Sequence, residues 1–206
     1  FIMTHITSIG AGMFSDLSVA MNTDGPSSSN LSNYPTEADK KGAFATPVAS
    51  VGGAAAADTY VRVLNVREFP SMGTPPNIVN VPVYGQATSQ QIQGQADAPS
   101  IELTLNYIAS DWASGTLLGD AVGDGVQYLF RFTLLNSEPP NYDSDATTGS
   151  NIGGTAAAPV ENSMYFWVGK IEALQVNPQL TDSNTATITM SIQSDFFGPY
   201  TLTATV

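Results

Sequence analysis

The sequence predicts a mainly β protein, an antiparallel β-sandwich or barrel with one short flanking α-helix, long loops and an N-terminal arm. The first observation is the alternation of apolar and polar residues, which is clearest over residues 185–192, Thr-Ala-Thr-Ile-Thr-Met-Ser-Ile. Successive side chains on a strand point to opposite faces, so this alternation indicates a strand with one buried face. The second observation is that clusters of Pro, Gly, Asn and Asp separate the alternating segments. The third observation is that only one stretch, which ends near Gly123, is expected to form a helix, so the core must consist mainly of strand residues.

The first 58 residues are expected to form an arm followed by a loop-rich segment. Residues 1–20 place Ile2, Ile6 and Ile9 near helical spacing, but two glycines weaken a helix there. We therefore interpret these residues as an ordered arm, with a frayed terminus as the alternative. Residues 21–58 are rich in Ser, Asn, Gly, Ala and Thr and show no periodic pattern. A loop of this length is uncommon in a compact domain unless it is functional or disordered.

Residues 59–206 are expected to form the β-sandwich core, so that the chain is one domain. The seven or eight predicted strands lie within 59–67, 77–84, 89–95, 101–107, 126–135, 164–175, 185–193 and 200–206. Prolines break the chain after the first of these, because proline lacks the N–H that a strand ladder needs. Ser110 and Asp111 offer N-cap oxygens before the predicted helix, which ends near Gly123. A second long loop is expected over residues 136–162.

Charged residues are scarce and mostly acidic. They make up 12% of the chain, against about 25% in typical soluble proteins. Eighteen acids against six Lys and Arg give a formal net charge of −12. A DNA-binding surface needs clustered Lys and Arg, so the charge argues against specific nucleic-acid binding.

Several other classes of site and partner are also unsupported by the composition. The chain has no cysteine, which excludes disulfides, zinc–thiolate sites and Cys nucleophiles. No apolar run reaches the roughly 18 residues that a membrane span needs, so no membrane partner is expected. The start of the chain at Phe1 lacks the basic region and apolar core of a signal peptide. We expect the chain to be trimmed or to start further upstream.

No residue pattern indicates an enzyme, a cofactor or a specific metal site. His5 is the single histidine, and no nucleophile-elbow motif accompanies it. The glycines and aspartates of residues 119–125 follow the predicted helix instead of opening it, so a helix C-cap explains them better than a phosphate or metal loop. Residues 143–145, Asp-Ser-Asp, are interpreted as a solvated loop, with adventitious calcium binding as the alternative.

Aromatic side chains on the predicted strands have two interpretations. Trp112, Phe130, Trp167, Phe196 and Phe197 could form a binding platform, for example for a carbohydrate. Aromatic residues at alternating strand positions more often belong to the core, which is the interpretation that we favour.

The polar faces of two predicted strands carry hydroxyls and amides in place of charges. Exposed strands ordinarily carry Lys, Glu or Arg, which solvate the strand and prevent unwanted pairing. A face without charges can pack between subunits without burying ions, whose desolvation is costly. We therefore predict that these side chains lie at contacts between subunits. They are Ser89, Gln91, Gln93, Gln95, Thr185, Thr187 and Thr189.

From about Val79 to Tyr200, the order of these features resembles the major tail tube proteins of long-tailed (siphovirus-like) bacteriophages. Residues 81–95 read Val-Pro-Val-Tyr-Gly-Gln-Ala-Thr-Ser-Gln-Gln-Ile-Gln-Gly-Gln, and residues 98–107 read Ala-Pro-Ser-Ile-Glu-Leu-Thr-Leu-Asn-Tyr. Residues 165–171, Tyr-Phe-Trp-Val-Gly-Lys-Ile, precede a turn with Pro and Asp and then the alternating strand at 185–192. Residues 1–58 match the family less clearly.

The resemblance implies a β-sandwich with a flanking helix whose copies form rings, usually hexameric, that stack into a tube through a long loop and a terminal arm. On this analogy the stacking loop is the segment 68–80, and the arm is residues 1–20. The candidate contacts are Glu68, Phe69, Met72 and Asn77 in the loop, and Ile2, Ile6 and Ile9 in the arm. The tube would belong to the virion tail, meet tape-measure, tail-terminator and distal tail proteins, and let DNA pass through an acidic lumen without specific binding.

Other functions remain open at this point. The main alternative is a monomeric β-sandwich binding module, on a capsid surface or specific for carbohydrate. A hydrolase that uses carboxylates is a third possibility, although no acid stands out in a polar and aromatic setting. An Hcp-like ring from a bacterial secretion system shares the tail tube architecture, and composition does not separate the two.

Overall fold

The computed structural model describes residues 15–20, 29–45, 48–51, 54–57, 60–73, 76–96, 100–134 and 163–201. These residues form twelve strands, two α-helices and one short 3-10 helix at Leu31–Asn33. The helices are α1 (Glu37–Ala45) and α2 (Leu117–Ala121). The strands are β1 (Asp16–Ala20), β2 (Val48–Val51), β3 (Ala54–Ala57), β4 (Val61–Arg62), β5 (Val66–Glu68), β6 (Pro76–Val81), β7 (Gln90–Ala96), β8 (Ile101–Asn106), β9 (Tyr128–Leu134), β10 (Ser163–Asn177), β11 (Thr185–Ile192) and β12 (Phe197–Thr201).

One large antiparallel sheet organises the molecule, in the order β4-β1-β9-β10-β11-β8-β5, with β12 paired to the first part of β10. The alternation in the sequence explains its faces. In β8 the side chains of Ile101, Leu103 and Leu105 are buried and the residues between them are exposed. In β11 the apolar residues are buried and the hydroxyls after Thr185 are half-buried. The predicted half-buried strands are therefore confirmed.

A single segment, residues 61–68, links the two ends of this sheet. Its first part pairs with β1, and the N–H of Val63 donates to the carbonyl of Leu17 at 2.8 Å. Its second part pairs with β8, where the N–H of Asn106 donates to the carbonyl of Asn65 at 2.9 Å. Asn65 makes the corner with a positive φ of 60°, a conformation that asparagine tolerates better than most residues. The sheet thus curls into a half-barrel, and the predicted fold class is confirmed.

Two apolar clusters cover the two faces of the curled sheet. The main cluster includes Leu103, Phe130, Trp167 and Ile188, all with almost no exposed surface. The rings of Phe130 and Trp167 stack with centroids 5.4 Å apart. In the second cluster, Phe44 of α1 packs beneath the helix on sheet residues. The sheet partners in the second cluster are Ala20, Leu129, Met164, Phe166, Val168 and Phe197.

The predicted loop-rich segment at 21–58 is wrong where the structure describes it. Residues 37–45 form α1, and β2 pairs with β3 as a hairpin. Helix α1 was missed because it has no apolar stripe, and Phe44 is its one buried side chain among those described. The sequence signal that could have indicated α1 is the capping pattern at its N-terminus. The Thr36 hydroxyl accepts from the N–H of Asp39 at 3.1 Å, and the Asp39 carboxylate accepts from the N–H of Thr36 at 3.2 Å, as in a capping box.

The predicted arm at 1–20 is also wrong at its C-terminal end, because residues 16–20 form a strand inside the sheet. Strand β1 lies between β4 and β9, and all five of its residues are buried. A strand buried on both faces shows no alternation, so periodicity could not reveal it. Ile2, Ile6 and Ile9, the predicted arm contacts, lie outside the described residues.

The predicted helix is present but shorter. It begins after Thr116, whose hydroxyl accepts from the N–H of Gly119 at 3.1 Å, and not after Ser110 and Asp111. Leu118 and Ala121 are the buried residues of this helix. The N-cap is therefore the hydroxyl that stands directly before Leu117 and Leu118, the first two residues of the helix.

Gly169 is the point where β10 leaves its partner β9 and continues along β11. A Cβ at this position would lie 2.5 Å from the carbonyl oxygen of Ser191 and 3.1 Å from the ring of Phe130. Since the neighbouring atoms are backbone and core, Gly169→Ala is expected to destabilise the fold by about 1–3 kcal/mol. Urea unfolding measures this loss, and an unchanged midpoint would mean that the strands are not so closely packed here.

Candidate functional site

The exposed hairpin of β6 and β7 is separate from the main sheet. The two strands pair with each other in a two-stranded sheet, with Val79 opposite Ile92 and Val81 opposite Gln90. A tight turn lies between them, in which the N–H of Gln86 donates to the carbonyl of Val83 at 3.2 Å. Its third residue is a glycine with φ of 85°, as a type II turn requires. We call residues 76–96 the hairpin.

The hairpin buries almost none of its side chains in this chain. Every residue from Asn77 to Gln93 is exposed, on both faces of the two-stranded sheet. Six of them are large and apolar, and Tyr84 at the turn is fully exposed. The six are Ile78, Val79, Val81, Val83, Tyr84 and Ile92. Val79 and Ile92 lie opposite each other, so exposed apolar side chains are neighbours there. Exposed apolar surface marks interaction sites, and an isolated two-stranded hairpin is only marginally stable in water.

The hairpin also lacks charge. No Asp, Glu, Lys, Arg or His occurs between residues 76 and 96, although the whole chain carries a net charge of −12. Natural proteins usually protect exposed strands with charged side chains, especially Lys. The hairpin has neither that protection nor a cover within the described part of the chain. These properties fit a surface that another protein covers.

Two of the four predicted stacking-loop residues pack on their own chain at the base of the hairpin. Phe69 packs against Phe132 with tilted rings and centroids 5.2 Å apart, and Met72 also packs on the main cluster. Glu68 in β5 and Asn77 in β6 are exposed. Phe69 and Met72 therefore pack on the core of their own chain just before the hairpin in the sequence. The contact of the four residues with another ring stays a prediction.

The amide-rich strand lies within the hairpin. Gln91 and Gln93 are exposed on one face of β7, Ser89 is exposed just before it, and Gln95 belongs to the same strand. Ile92 lies on the opposite face, because side chains alternate along a strand. The structure thus brings the amides and the apolar residues together on one element. Their contact with another subunit stays a prediction.

The hydroxyl-rich strand β11 occupies the middle of the main sheet. Thr187 lies opposite Thr104 on one side and Gln175 on the other, while Thr189 lies opposite Glu102. Thr187 and Thr189 are half-buried, and Thr185 is buried. Their contact with another subunit also stays a prediction.

This sheet face is not free of charge, contrary to the argument made from β11 alone. Glu102 and Glu172 are exposed, and Lys170 is half-buried. The hydroxyl of Ser191 donates to Glu172. These charges belong to the neighbouring strands β8 and β10, which pairing brings alongside β11 and which the pattern of β11 itself does not show. The face is hydroxyl-rich with an acidic border.

The buried charges of the molecule are structural. Arg62 donates to Asp16 at 2.8 Å, and both side chains are almost fully buried. The guanidinium of Arg131 lies 4.4 Å from the ring centroid of Tyr60. Burial raises the pKa of the Tyr60 phenol and lowers the pKa of Arg131. These groups join β1, β4 and β9 under the second cluster.

The proposed aromatic platform belongs to the core. Phe130, Trp167 and Phe197 are buried, and Trp112 and Phe196 pack partly buried against the main cluster. Within the described ranges, no three His, Cys, Asp or Glu side chains come together as metal ligands would. Neither of the described α-helices has the length and apolar character that crossing a membrane demands.

A small recess lies between residues 61–64 and α2. Its volume is about 240 Å³, and its lining residues are half apolar and half polar. The apolar residues are Val61, Leu64, Leu117 and Leu118, and the polar ones are Arg62, Ser110, Asp111 and Thr116. Ligand sites for small molecules usually start at about 300 Å³, so the size favours a single side chain over a cofactor. We call this site the α2 recess.

Comparison with known proteins adds no family assignment. No protein-family model matches the chain, and no curated protein matches it either. Among solved structures it is similar to the SPP1 tail tube, from a hybrid solid-state NMR and cryo-electron microscopy study, at 15% sequence identity and a TM-score of 0.37. The match covers 73% of this chain and 74% of the other. A similarity of this degree is no basis for assigning fold or function.

Proposed function

We propose that this protein is a non-enzymatic structural subunit that associates with copies of itself, and that the hairpin is one of the surfaces covered in that assembly. The observation that carries the proposal is the hairpin itself: six large apolar side chains exposed on a segment of 21 residues without a single charge. Full burial of a large apolar side chain contributes about 1.5–3 kcal/mol, so covering even part of this surface gives a substantial driving force.

The distribution of charge supports contact between copies at this place. Each copy carries a net charge of −12, so like copies repel one another wherever acids face acids. Salt screens this repulsion over about 8 Å at physiological ionic strength. A contact made through an uncharged segment avoids most of the repulsion and buries no ion, whose desolvation is costly.

The finer form of the proposal is a tail tube of a long-tailed bacteriophage. Copies form rings, for which six is the expected number, and the rings stack into a tube in the virion tail. The half-barrel fold and the hydroxyl-rich face with Glu102 and Glu172 at its border suit the wall of an acidic lumen. DNA would pass through without specific binding, and tape-measure, tail-terminator and distal tail proteins would be the other partners. An Hcp-like secretion tube is the alternative within the same architecture.

The monomeric carbohydrate-binding alternative loses its support. It depended on an aromatic platform, and the rings of Phe130 and Trp167 are instead buried in the main cluster. A monomeric module would also leave the apolar side chains of the hairpin in water. The oligomeric state therefore separates the two functions.

Self-association is tested with the whole chain, by light scattering and negative-stain electron microscopy. We expect rings or tubes for the parent protein. Ile92→Lys should weaken association by about 30-fold or more, which corresponds to the loss of an interface hot spot. The added lysine makes the chain less acidic, so a loss of assembly cannot come from greater overall repulsion.

The matched control is Ile108→Lys, which places the same charge on an exposed apolar side chain outside the hairpin. It should assemble like the parent. Strictly monomeric parent protein at high concentration, with the N-terminal residues intact, would refute the proposed function. Normal assembly of Ile92→Lys would instead show that the hairpin is not the contact.

A further inference from the structure

We propose that Tyr84 at the turn of the hairpin inserts into the α2 recess of a second copy. This inference rests on the proposed self-association and names the surface that receives the hairpin. Tyr84 is fully exposed in its own chain, so it does not fill its own recess. The two sites are therefore available to each other only between copies.

The turn presents Tyr84 as a projecting side chain. The tight turn places it at the second of four positions, held by the hydrogen bond from Gln86 to Val83. Tyrosine is one of the residue types that dominate binding energy at interfaces, because its ring buries a large area and its hydroxyl still finds a partner. No charged residue lies near it in the hairpin sequence.

The α2 recess matches this side chain in size and chemistry. Its four apolar residues suit the ring, its polar residues suit the phenol hydroxyl, and its volume of about 240 Å³ suits one side chain. The Asp111 carboxylate is the acceptor for the phenol hydroxyl. The hydroxyl of Ser110 donates to Asp111 at 3.4 Å, a long contact that leaves most of the acceptor capacity of the carboxylate for a ligand.

Leu180 is the second large apolar residue that is fully exposed among the described residues, and it fits the recess less well. It has no polar group for Asp111, so its insertion would bury a carboxylate without a partner. Asp182 also lies two residues away and would approach Asp111 as a like charge. The recess therefore favours Tyr84, at the uncharged turn of the hairpin, over Leu180.

A projection and a recess on different parts of one surface make a heterologous contact. Each copy gives its Tyr84 to one neighbour and receives the Tyr84 of another. Such contacts either close into a ring or continue as an open stack. A variant that lacks Tyr84 can still receive the Tyr84 of another copy, and a variant with a blocked α2 recess can still insert its own Tyr84.

The test uses two single variants and their mixture, followed by light scattering. Tyr84→Ser keeps the recess and loses the projection, and should weaken association by about 30-fold or more. Tyr84→Phe should lose about tenfold, the value of one hydrogen bond to a charged group. Leu64→Trp fills the recess and keeps the projection. Leu117→Trp, at another apolar residue of the recess, serves in its place if the Leu64→Trp protein has a lowered melting temperature.

The mixture gives the decisive result. Tyr84→Ser and Leu64→Trp each stop growing alone, but together they should give a species of twice the mass of either and nothing larger. Leu180→Ser, the matched control, should assemble like the parent. Normal assembly of Tyr84→Ser overturns the inference while the proposed function stands. A mixture that does not double overturns the α2 recess as the receiving site. A monomeric parent protein refutes the proposed function and this inference with it.

Discussion

Arg62→Met is expected to lower the free energy of unfolding by about 3–5 kcal/mol, the cost of breaking a buried ion pair from one side. Arg62 and Asp16 are 2.8 Å apart and almost fully buried. The substitution leaves the Asp16 carboxylate in the interior without its hydrogen-bonded cation, although the hydroxyl of Ser18 still donates to it and the buried Arg131 still attracts it. Urea unfolding followed by circular dichroism measures the loss.

Two controls define the cause of this loss. Arg67→Met removes an exposed arginine from the next strand and should change stability by no more than about 0.5 kcal/mol. The double variant Asp16→Leu with Arg62→Met replaces the pair by apolar groups and should recover most of the stability, since such replacements are often neutral. A single variant as stable as the parent would mean that the pair does not hold β4 to β1.

Phe44→Ala is expected to cost about 3–5 kcal/mol as well, for a different reason. Phe44 has no exposed surface, stacks on Phe166 and packs against the tilted ring of Phe197, with centroid distances of 5.5 Å to each. Its removal leaves a cavity beneath α1. We expect a lower urea midpoint, together with a loss of the helical signal of α1 before the main sheet unfolds.

The control lies on the same helix and changes stability in the opposite direction. Gly42→Ala adds a methyl group where no atom lies within 4 Å. It should stabilise the protein by about 0.5–1 kcal/mol, because alanine loses less backbone entropy than glycine in a helix. If both variants lowered stability by the same amount, the packing of Phe44 would not explain the first result.

The fold class was predictable because period-two alternation survives wherever one face of a strand is buried. Strands β8 and β11 show this clearly, and the structure places them as neighbours. Strand β1 was missed because all of its residues are buried, so the pattern that identifies half-buried strands is absent. Helix α1 was missed because a single aromatic residue holds it to the sheet.

The candidate site was partly predictable. The lack of charge in the strand from Ser89 to Gln95 is visible in the sequence, and that strand does lie in the exposed hairpin. The sequence could not show that Phe69 and Met72 fold back onto the core, because this depends on the distant residue Phe132. Nor could it show the α2 recess, whose walls come from two segments about 50 residues apart.

The pairing of β1 with β9 has a consequence for the order of events after translation. Leu17 finds its partner Phe132 only when much of the chain has been synthesised, whereas Val81 and Gln90 of the hairpin are near neighbours in sequence. Local contacts form quickly and distant ones slowly, because closing a long loop costs entropy. A nascent copy can therefore form its exposed apolar hairpin well before β1 and β9 pair in the main sheet. Aggregation of incompletely folded chains through this hairpin is the hazard that follows from the topology.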